Sequence, residues 1–159
     1  MAAPVHLTFL GGLGEIGRNC AALEANGRIV ILDCGQLFPD DLPGVDAVLP
    51  DFTWLRERAD RIEACIVTHA HEDHIGGLPY LLSEMSFPIY GSPFTLGMVS
   101  GKLRAAGVSV PELVELHDHE RHKIGPFDCE FLPVTHSTPS GLMTLFGTPQ
   151  GQILHSSDF

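Results

Sequence analysis

The sequence predicts a layered domain of mixed secondary structure, α/β or α+β, in which many short strands alternate with a few helices. Two observations support this fold class. Short apolar runs bounded by glycine, proline, asparagine and aspartate recur along the chain, as expected of strands. Only three stretches have the length and boundary residues of helices, and they lie between strands rather than in one block.

The first half of the chain begins with a strand pair and ends with an apolar strand. The turn Asn26-Gly27 joins two strands, because asparagine and glycine adopt the positive φ angles of a tight hairpin. A loop at 35–50, rich in proline, aspartate and glycine, leads to a short helix at 52–60. The strands predicted here are Val5–Leu10, Cys20–Glu24, Arg28–Leu32 and Ile62–Val67.

The second half continues the alternation of helices and strands. One helix is predicted at 78–85 and another at 93–106. Ser92 is the expected N-cap of the longer helix, and Gly107 ends it. The strands predicted here are Ile89-Tyr90, Leu113–Leu116, Cys129–Val134, Leu142–Phe146 and Gln152–His155.

Composition limits the classes of protein to which the chain can belong. Its 159 residues can form one domain, and 44% hydrophobic with 18% charged residues is typical of globular proteins. No apolar stretch approaches the ~20 residues of a membrane span, and the N-terminus lacks the features of a secretory signal. We therefore expect a cytoplasmic protein without a membrane partner.

Charge and cysteine usage narrow the partners further. Twenty acidic and nine basic residues give a net charge of −11, which argues against a broad basic surface for nucleic acid. The four cysteines are scattered without a Cys-x-x-Cys pair, and three of them lie in or beside apolar runs. They predict buried free thiols rather than disulfides or a zinc knuckle.

The run from Thr68 to Gly77, Thr-His-Ala-His-Glu-Asp-His-Ile-Gly-Gly, is the strongest functional signal. Three imidazoles and a carboxylate, donors that suit zinc or manganese, stand within six residues. These candidate ligands are His69, His71, Asp73 and His74. A polar, histidine-rich surface turn is the alternative, but such turns seldom follow an apolar strand.

The spacing of these ligands indicates a loop rather than one face of a helix. Histidines on one helical face would stand four residues apart, whereas these ligands stand at i, i+2, i+4 and i+5. In an extended or tightly turning segment, His69 and His71 point to one side while Asp73 and His74 turn towards a second point. We interpret the run as a loop that serves two metals.

Single polar residues follow other apolar strands. Asp33, His136 and Asp158 each stand just after such a run. Side chains at strand ends can converge on one rim of a sheet, where binding sites commonly lie. Alone, each is more readily explained as a cap or turn residue; together with the histidine run they become candidate site residues.

Several motifs resemble a known family. The run Thr68-His-Ala-His-Glu-Asp-His74 resembles the signature of the metallo-β-lactamase superfamily. Leu10-Gly-Gly-Leu-Gly-Glu-Ile-Gly-Arg-Asn19, Asp33-Cys-Gly35, Val134-Thr-His-Ser137 and Ser157-Asp-Phe159 resemble ribonuclease J within it. The resemblance implies an αββα sandwich of which this chain is the N-terminal part, without the β-CASP domain and the later portion of that family.

The resemblance also implies an activity and a set of metal ligands. The activity is that of a ribonuclease which cuts RNA endonucleolytically and by 5′-to-3′ exonucleolysis, through a hydroxide activated by two divalent metals, zinc or alternatively manganese. The implied ligands are His69, His71 and His136 for the first metal, Asp73 and His74 for the second, and Asp158 as the bridge.

Two carboxylates receive further roles. Asp73 is expected to be catalytic, because its carboxylate can orient or deprotonate the attacking water as well as bind metal. Asp33 matches the acidic residue that the superfamily has at a strand end, and we expect it behind the ligands, orienting the histidine run. RNA is the implied substrate, and a homo-oligomer is implied for the full-length protein.

The chain departs from the family pattern in three ways. Ser157 replaces a glycine beside Asp158, so this strand end is strained if the position needs a positive φ. Ser140 replaces a carboxylate. The family supplies one more histidine ligand that this chain lacks, so we expect a competent first metal site and a weaker second one.

The remaining histidines receive structural interpretations. The segment from His117 to His122, His-Asp-His-Glu-Arg-His, is predicted to be a solvated turn between strands rather than a second metal site. His6 and His155 are expected to be strand residues with satisfied nitrogens rather than ligands.

Two other functions remain open. The histidine run also fits a small-molecule hydrolase that acts on a lactam or a thioester. A truncated chain with a partial metal site would be inactive. The glycine-rich first loop favours the ribonuclease.

Overall fold

The structure is a sandwich of two sheets with helices packed on the outer face of the first sheet, as the layered fold class predicts. It is a computed structural model that describes residues 4–39 and 43–159. Residues 40–42 of the predicted 35–50 loop, and residues 1–3 of the N-terminus, lie outside the described residues.

The first sheet contains six of the strands that the structure describes. These are β1 (Val5–Gly11), β2 (Cys20–Ala25), β3 (Arg28–Leu32), β4 (Ile62–Ile66), β5 (Ile89–Gly91) and β6 (Leu113–Glu115). They lie side by side in chain order, antiparallel from β1 to β3 and parallel from β3 to β6. The turn between β2 and β3 is the predicted one, with φ of 51° at Asn26 and 73° at Gly27.

The second sheet is antiparallel, with the order β10-β9-β8-β7. Its strands are β7 (Arg121–Ile124), β8 (Phe127–Val134), β9 (Gly141–Thr148) and β10 (Gly151–His155). The strand β7 corrects the prediction of a polar turn through His122. Its register with β8 sets Arg121 opposite Glu130, and their side chains form an ion pair at 2.6 Å. Because this pairing lies at an exposed edge, β7 lacks the apolar alternation that identifies a strand.

The helices differ from the prediction mainly in length. They are α1 (Thr53–Arg56), α2 (Glu72–Ile75), α3 (Leu78–Leu82) and α4 (Pro93–Ala105). The helix predicted at 52–60 is α1 followed by a separate 3-10 turn, and the one predicted at 78–85 ends early. Ser92 caps α4 as predicted, since its Oγ accepts a hydrogen bond from Thr95 N. No helix among the described residues is long and apolar enough to cross a membrane.

The short helix α2 corrects the interpretation of the histidine run as a loop throughout. His71 is its N-cap, so Asp73 and His74 stand in a helical turn. Four residues are too few for the apolar periodicity of a helix to show in the sequence. The change of direction predicted between His71 and Asp73 coincides with the start of α2.

Two apolar layers stabilise the sandwich, and β3 contributes to both. Ile29 and Ile31 pack in the layer shared with the helices, whereas Val30 and Leu32 pack in the layer shared with the second sheet. This alternation follows from the period of two in a strand that is buried on both faces. The four cysteines are buried free thiols, as predicted: Cys20, Cys34, Cys65 and Cys129.

The segment after β3 packs backbone to backbone against α2. Cys34 N donates to the carbonyl of His74 at 2.8 Å, and Gln36 N donates to that of Glu72 at 3.1 Å. A Cβ on Gly35 would lie 1.5 Å from the carbonyl oxygen of Asp73. Only glycine permits this approach, which fixes the position of α2 relative to the first sheet.

Replacing Gly35 with alanine should therefore lower the free energy of unfolding by at least about 3 kcal/mol, because neither backbone can move away without breaking these hydrogen bonds. Urea denaturation of the metal-free chain measures this change. Gly101→Ala is the matched control: a Cβ there would meet no described atom within 4 Å. In a helix interior that change should raise stability by about 0.5–1 kcal/mol. Similar effects of the two substitutions would contradict the close approach at Gly35.

Candidate metal centre

The candidate site lies where strands of both sheets end. Asp33 follows β3, and the histidine run follows β4, which pairs with β3 in parallel. His136 follows β8 and Asp158 follows β10 in the second sheet. The predicted site residues therefore gather at one rim of the sandwich, which includes a cleft of about 170 Å³.

The imidazoles of His69, His71 and His136 converge on one point. His71 Nδ1 lies 3.0 Å from His69 Nε2 and 3.2 Å from His136 Nε2. Around a tetrahedral zinc ion with bonds of ~2.0–2.1 Å, ligand nitrogens stand roughly 3.3 Å apart. Both distances from His71 are close to that value, and the ligating atoms of all three residues lie within 4.8 Å of one another.

In two of these rings, the nitrogen that points away from the common point has a hydrogen-bond partner, which orients the other nitrogen towards that point. Ser137 Oγ lies 3.1 Å from His71 Nε2, and Thr68 Oγ1 lies 3.0 Å from His69 Nδ1. If these outer nitrogens carry the ring protons, the inner nitrogens present lone pairs to the common point. This is the arrangement of neutral histidine ligands.

A second group consists of His69, His74 and Asp158, whose ligating atoms lie within 4.8 Å of one another. His74 Nε2 is 3.4 Å from Asp158 Oδ2 and 3.6 Å from Asp73 Oδ2. Asp158 Oδ2 is also 3.9 Å from His136 Nε2. Asp158 thus lies between the two groups and Asp73 lies beside the second, while His69 belongs to both, which the sequence did not predict.

Asp33 supports both groups from behind, in agreement with its predicted orienting role. Its carboxylate is 2% exposed and accepts hydrogen bonds from Thr68 N at 2.8 Å and Thr68 Oγ1 at 3.0 Å. The same carboxylate lies 2.9 Å from His74 Nδ1. It therefore orients His74 directly and His69 through the hydroxyl of Thr68.

The electrostatics of the metal-free site differ between its two buried histidines. Burial, followed by the neighbouring His74, lowers the pKa of His69 to about 4, so this imidazole is neutral at pH 7. Burial also opposes a charge on His74, but the carboxylates of Asp33, Asp73 and Asp158 outweigh it and raise its pKa to about 9. For Asp33, the interaction with His74 outweighs burial and lowers the pKa.

The donor set fits divalent cations. Three imidazole nitrogens that face one another repel unless a cation or a proton lies between them, and three carboxylates near His74 add negative charge. Zinc and manganese both accept nitrogen and carboxylate oxygen ligands, so the residues present suit either.

Sequence reasoning missed several residues around the site. Thr68 and Ser137 stand in the motifs, but their roles as partners of His69 and His71 depend on side-chain directions. Asn19 also reaches the site: its Nδ2 lies 3.1 Å from both Asp73 Oδ2 and His74 Nε2. In the sequence, only its position at the end of the glycine-rich loop could have indicated that Asn19 belongs to the site.

The remaining histidines lie outside both groups. His6 is in β1 and His155 is in β10, as predicted. The expectation of satisfied nitrogens is wrong for His155, whose buried Nδ1 has no hydrogen-bond partner among the described residues. His122 Nε2 lies 3.6 Å from the carboxylate of Glu120, and its ring packs edge to face with Tyr90 and Phe131. Neither described ligand group includes a residue of the 117–122 segment.

The sequence matches known proteins over most of its length. The model of the Beta-lactamase superfamily domain matches residues 39–158. Ribonuclease J from Mycobacterium tuberculosis is 46% identical over 156 residues, which are 97% of this chain and 28% of that protein. Ribonuclease J 1 from Streptococcus pyogenes is 40% identical over 157 residues, 98% of this chain and 28% of that protein. These matches confirm the resemblance, and the chain spans 28% of each relative.

The fold also matches a solved structure. The metallo-beta-lactamase fold protein YhfI from Bacillus subtilis superposes with a TM-score of 0.65 at 16% identity, covering 98% of this chain and 63% of that chain. At this identity the likeness concerns the fold alone. It confirms the predicted fold class, and the described residues form two sheets with helices on the outer face of the first.

The raised pKa of His74 predicts how the stability of the metal-free chain depends on pH. The pKa is 6.5 for an unperturbed histidine and about 9 in the fold, so the folded state binds this proton more tightly. The stabilisation is fully present below about pH 6.5 and is lost as the pH rises through about 9. Urea denaturation in a chelator should show this loss in the wild type.

A His74→Gln variant should lack this part of the pH dependence, whereas His122→Gln should retain it. The difference between the wild type and His74→Gln isolates the histidine from other groups that titrate in the same range. A stability difference that stayed constant between about pH 6 and pH 10 would contradict the raised pKa.

The backbone at Ser157 supports a second prediction. Its φ is 57°, so the position has the left-handed conformation for which the family's glycine is suited. Ser157→Gly should raise the free energy of unfolding by roughly 0.5–1 kcal/mol, because relief of strain exceeds the entropy that glycine gains in the unfolded chain. Denaturant melts measure this, and Ser156→Gly, at a residue without a positive φ, should instead be destabilising. Equal effects would contradict the strain.

Proposed function

Because this chain belongs to the beta-lactamase superfamily, we propose that it is a metal-dependent ribonuclease that hydrolyses RNA phosphodiester bonds, within the strand and stepwise from the 5′ end. The observation that carries the proposal is the convergence of His69, His71 and His136 nitrogens beside the pair His74 and Asp158. The relatives named ribonuclease J favour RNA over other substrates.

The proposed ligands are those that the resemblance implies, and the distances support them. His69, His71 and His136 would hold one divalent ion, and Asp73 with His74 would hold another. Asp158 would contact both ions, since its Oδ2 is 3.4 Å from His74 Nε2 and 3.9 Å from His136 Nε2. Zinc is the proposed metal and manganese the alternative. Bound ions of this kind polarise a phosphate and lower the pKa of water.

The chain's own residues supply orientation and a base. Asp73 is the proposed catalytic residue: its side chain is 29% exposed at the rim of the second group, where it can accept a proton from the attacking water. Asp33, Thr68 and Ser137 keep the imidazoles in the orientation that exposes their lone pairs to the site. Pre-set orientation lowers the cost of reaching the reactive geometry.

Electrostatics require cations before RNA can approach. The chain carries a net charge of −11, and Asp33, Asp73 and Asp158 place three carboxylates at the site itself. These groups repel a phosphodiester unless bound cations compensate them. The carboxylate of Asp158 is 46% exposed, so this side of the site is open to a strand from solvent. We also propose that the protein is cytoplasmic and that the full-length protein is a homo-oligomer.

The test compares purified wild-type chain, His71→Ala and His122→Ala on 5′-monophosphorylated RNA, with zinc and in parallel with manganese. Because His71→Ala removes a proposed ligand, the rate of RNA degradation should fall by at least about 100-fold. This exceeds the loss of activity that follows removal of a residue that only orients a ligand. His122→Ala removes a histidine outside the site and should leave the rate within about twofold. A chelator should abolish the wild-type activity.

Several outcomes would contradict the proposed function. RNA degradation by His71→Ala at the wild-type rate would place the activity elsewhere. Turnover of a thioester or a lactam with no cleavage of RNA would assign the site to a small-molecule hydrolase. If the chain bound its full complement of metal but hydrolysed none of these substrates, it would be a binding module rather than an enzyme.

A further inference from the structure

The glycine-rich loop between β1 and β2 ends at the metal centre. Its last residue, Asn19, directly precedes β2. Both the N–H and the carbonyl of Asn19 form backbone hydrogen bonds. Asn19 N donates to the carbonyl of Asp73 at 2.9 Å, and the carbonyl of Asn19 accepts from Gly35 N at 2.9 Å. The backbone of Asn19 thus lies between α2 and the segment after β3.

The side chain of Asn19 contacts the second group of ligands. Its Nδ2 lies 3.1 Å from the carbonyl oxygen of Asp73, 3.1 Å from Asp73 Oδ2 and 3.1 Å from His74 Nε2. Two of these atoms are oxygens that only accept hydrogen bonds, so the NH₂ end of the amide must face them. Its two hydrogens can satisfy both oxygens of Asp73, so the amide needs no hydrogen bond to His74 Nε2.

The carboxylate of Asp73 benefits from such a partner because it is the more exposed member of the pair. His74 is fixed by Asp33 at 2.9 Å and is buried, whereas the side chain of Asp73 is 29% exposed. Its Oδ2 nevertheless lies 3.6 Å from His74 Nε2. The amide of Asn19 holds that oxygen beside the imidazole without adding a charge.

We infer that Asn19 is a positioning residue of the second cation site, delivered by the glycine-rich loop to hold Asp73 against His74. The inference rests on the metal-dependent function proposed above and gives the loop a chemical role. Residues behind metal ligands typically contribute 10- to 100-fold to metal affinity. The effect should concern the second ion, because Asn19 has no described contact with His71 or His136.

Gly12 makes room for this side chain. A Cβ on Gly12 would lie 2.7 Å from Asn19 Oδ1, on the side of the amide opposite the metal centre. Gly14 has a similar positive φ, 72° against 81° at Gly12, but a Cβ there would meet no described atom within 4 Å. Comparing alanine substitutions at Gly12 and Gly14 therefore distinguishes the effect of backbone strain from that of displacing Asn19.

The first experiment measures zinc affinity of the purified 159-residue chain by competition with a chromophoric chelator, which resolves tight and weak equivalents. A His136→Ala reference removes a ligand of the first group and so identifies the equivalent that belongs to the second. Asn19→Ala should weaken that second equivalent by about 10- to 100-fold and leave the first within about twofold. Gln36→Ala is the matched control, since its amide lies 3.3 Å from Glu72 Oε2 and not from a proposed ligand.

The second experiment compares Gly12→Ala with Gly14→Ala in the same titration. Both substitutions place alanine at a positive φ and should lower the stability of the metal-free chain, Gly12→Ala by more because its Cβ also meets Asn19. Only Gly12→Ala pushes on Asn19, so only this variant should reproduce the weakening of the second zinc equivalent. Urea melts without metal check that the variants are folded at the temperature of the titration.

Three outcomes would overturn the inference. The first is an unchanged second equivalent in Asn19→Ala. The second is equal weakening of both equivalents, which would indicate general damage, and the third is a wild-type chain that binds only one zinc ion. Failure of the proposed function gives a different result: two zinc ions bound with the predicted sensitivity to Asn19, but no cleavage of RNA.

Discussion

The buried carboxylate of Asp33 is the interaction on which the metal centre depends. An ionised group with 2% exposure is unfavourable unless hydrogen bonds and an opposite charge compensate its lost hydration. Thr68 and His74 supply that compensation at 2.8–3.0 Å. Because Thr68 also contacts His69, a single carboxylate orients two imidazoles that face different sides of the site. The hydrogen bonds that compensate the buried charge therefore also fix the directions of both imidazoles.

Backbone packing makes this arrangement rigid. The parallel pairing of β3 with β4 brings Asp33 next to the start of the histidine run, and Asp33 N donates to the carbonyl of Ile66 at 3.0 Å. Gly35 then lets the chain after β3 contact α2 without intervening side chains. The second sheet adds His136 and Asp158 from the ends of its own strands. Ligands from distant parts of the sequence meet because all of these elements end at one rim.

The charge pattern of the site explains why it suits cations. The imidazole nitrogens of His69 and His136 lie 3.0 and 3.2 Å from that of His71, with carboxylates on one side, so lone pairs and negative charge are concentrated here. The carboxylates of Asp33, Asp73 and Asp158 raise the pKa of His74 to about 9 against the effect of burial, because they attract positive charge. The acidic balance of the whole chain acts in the same direction. A bound cation would reduce or reverse the local negative charge.

The sequence by itself determined the layered fold class, most strands, the long helix α4, and the candidate ligands, since these depend on local patterns: apolar runs, caps, turn residues and donor chemistry. The helix α2, the polar edge strand β7 and the sharing of His69 between two groups depended on tertiary structure. So did the contact of Asn19 with Asp73 and His74. A four-residue helix and a polar edge strand leave no periodic signal, and side chains distant in sequence meet only when two sheets and a glycine-rich loop close on the same rim.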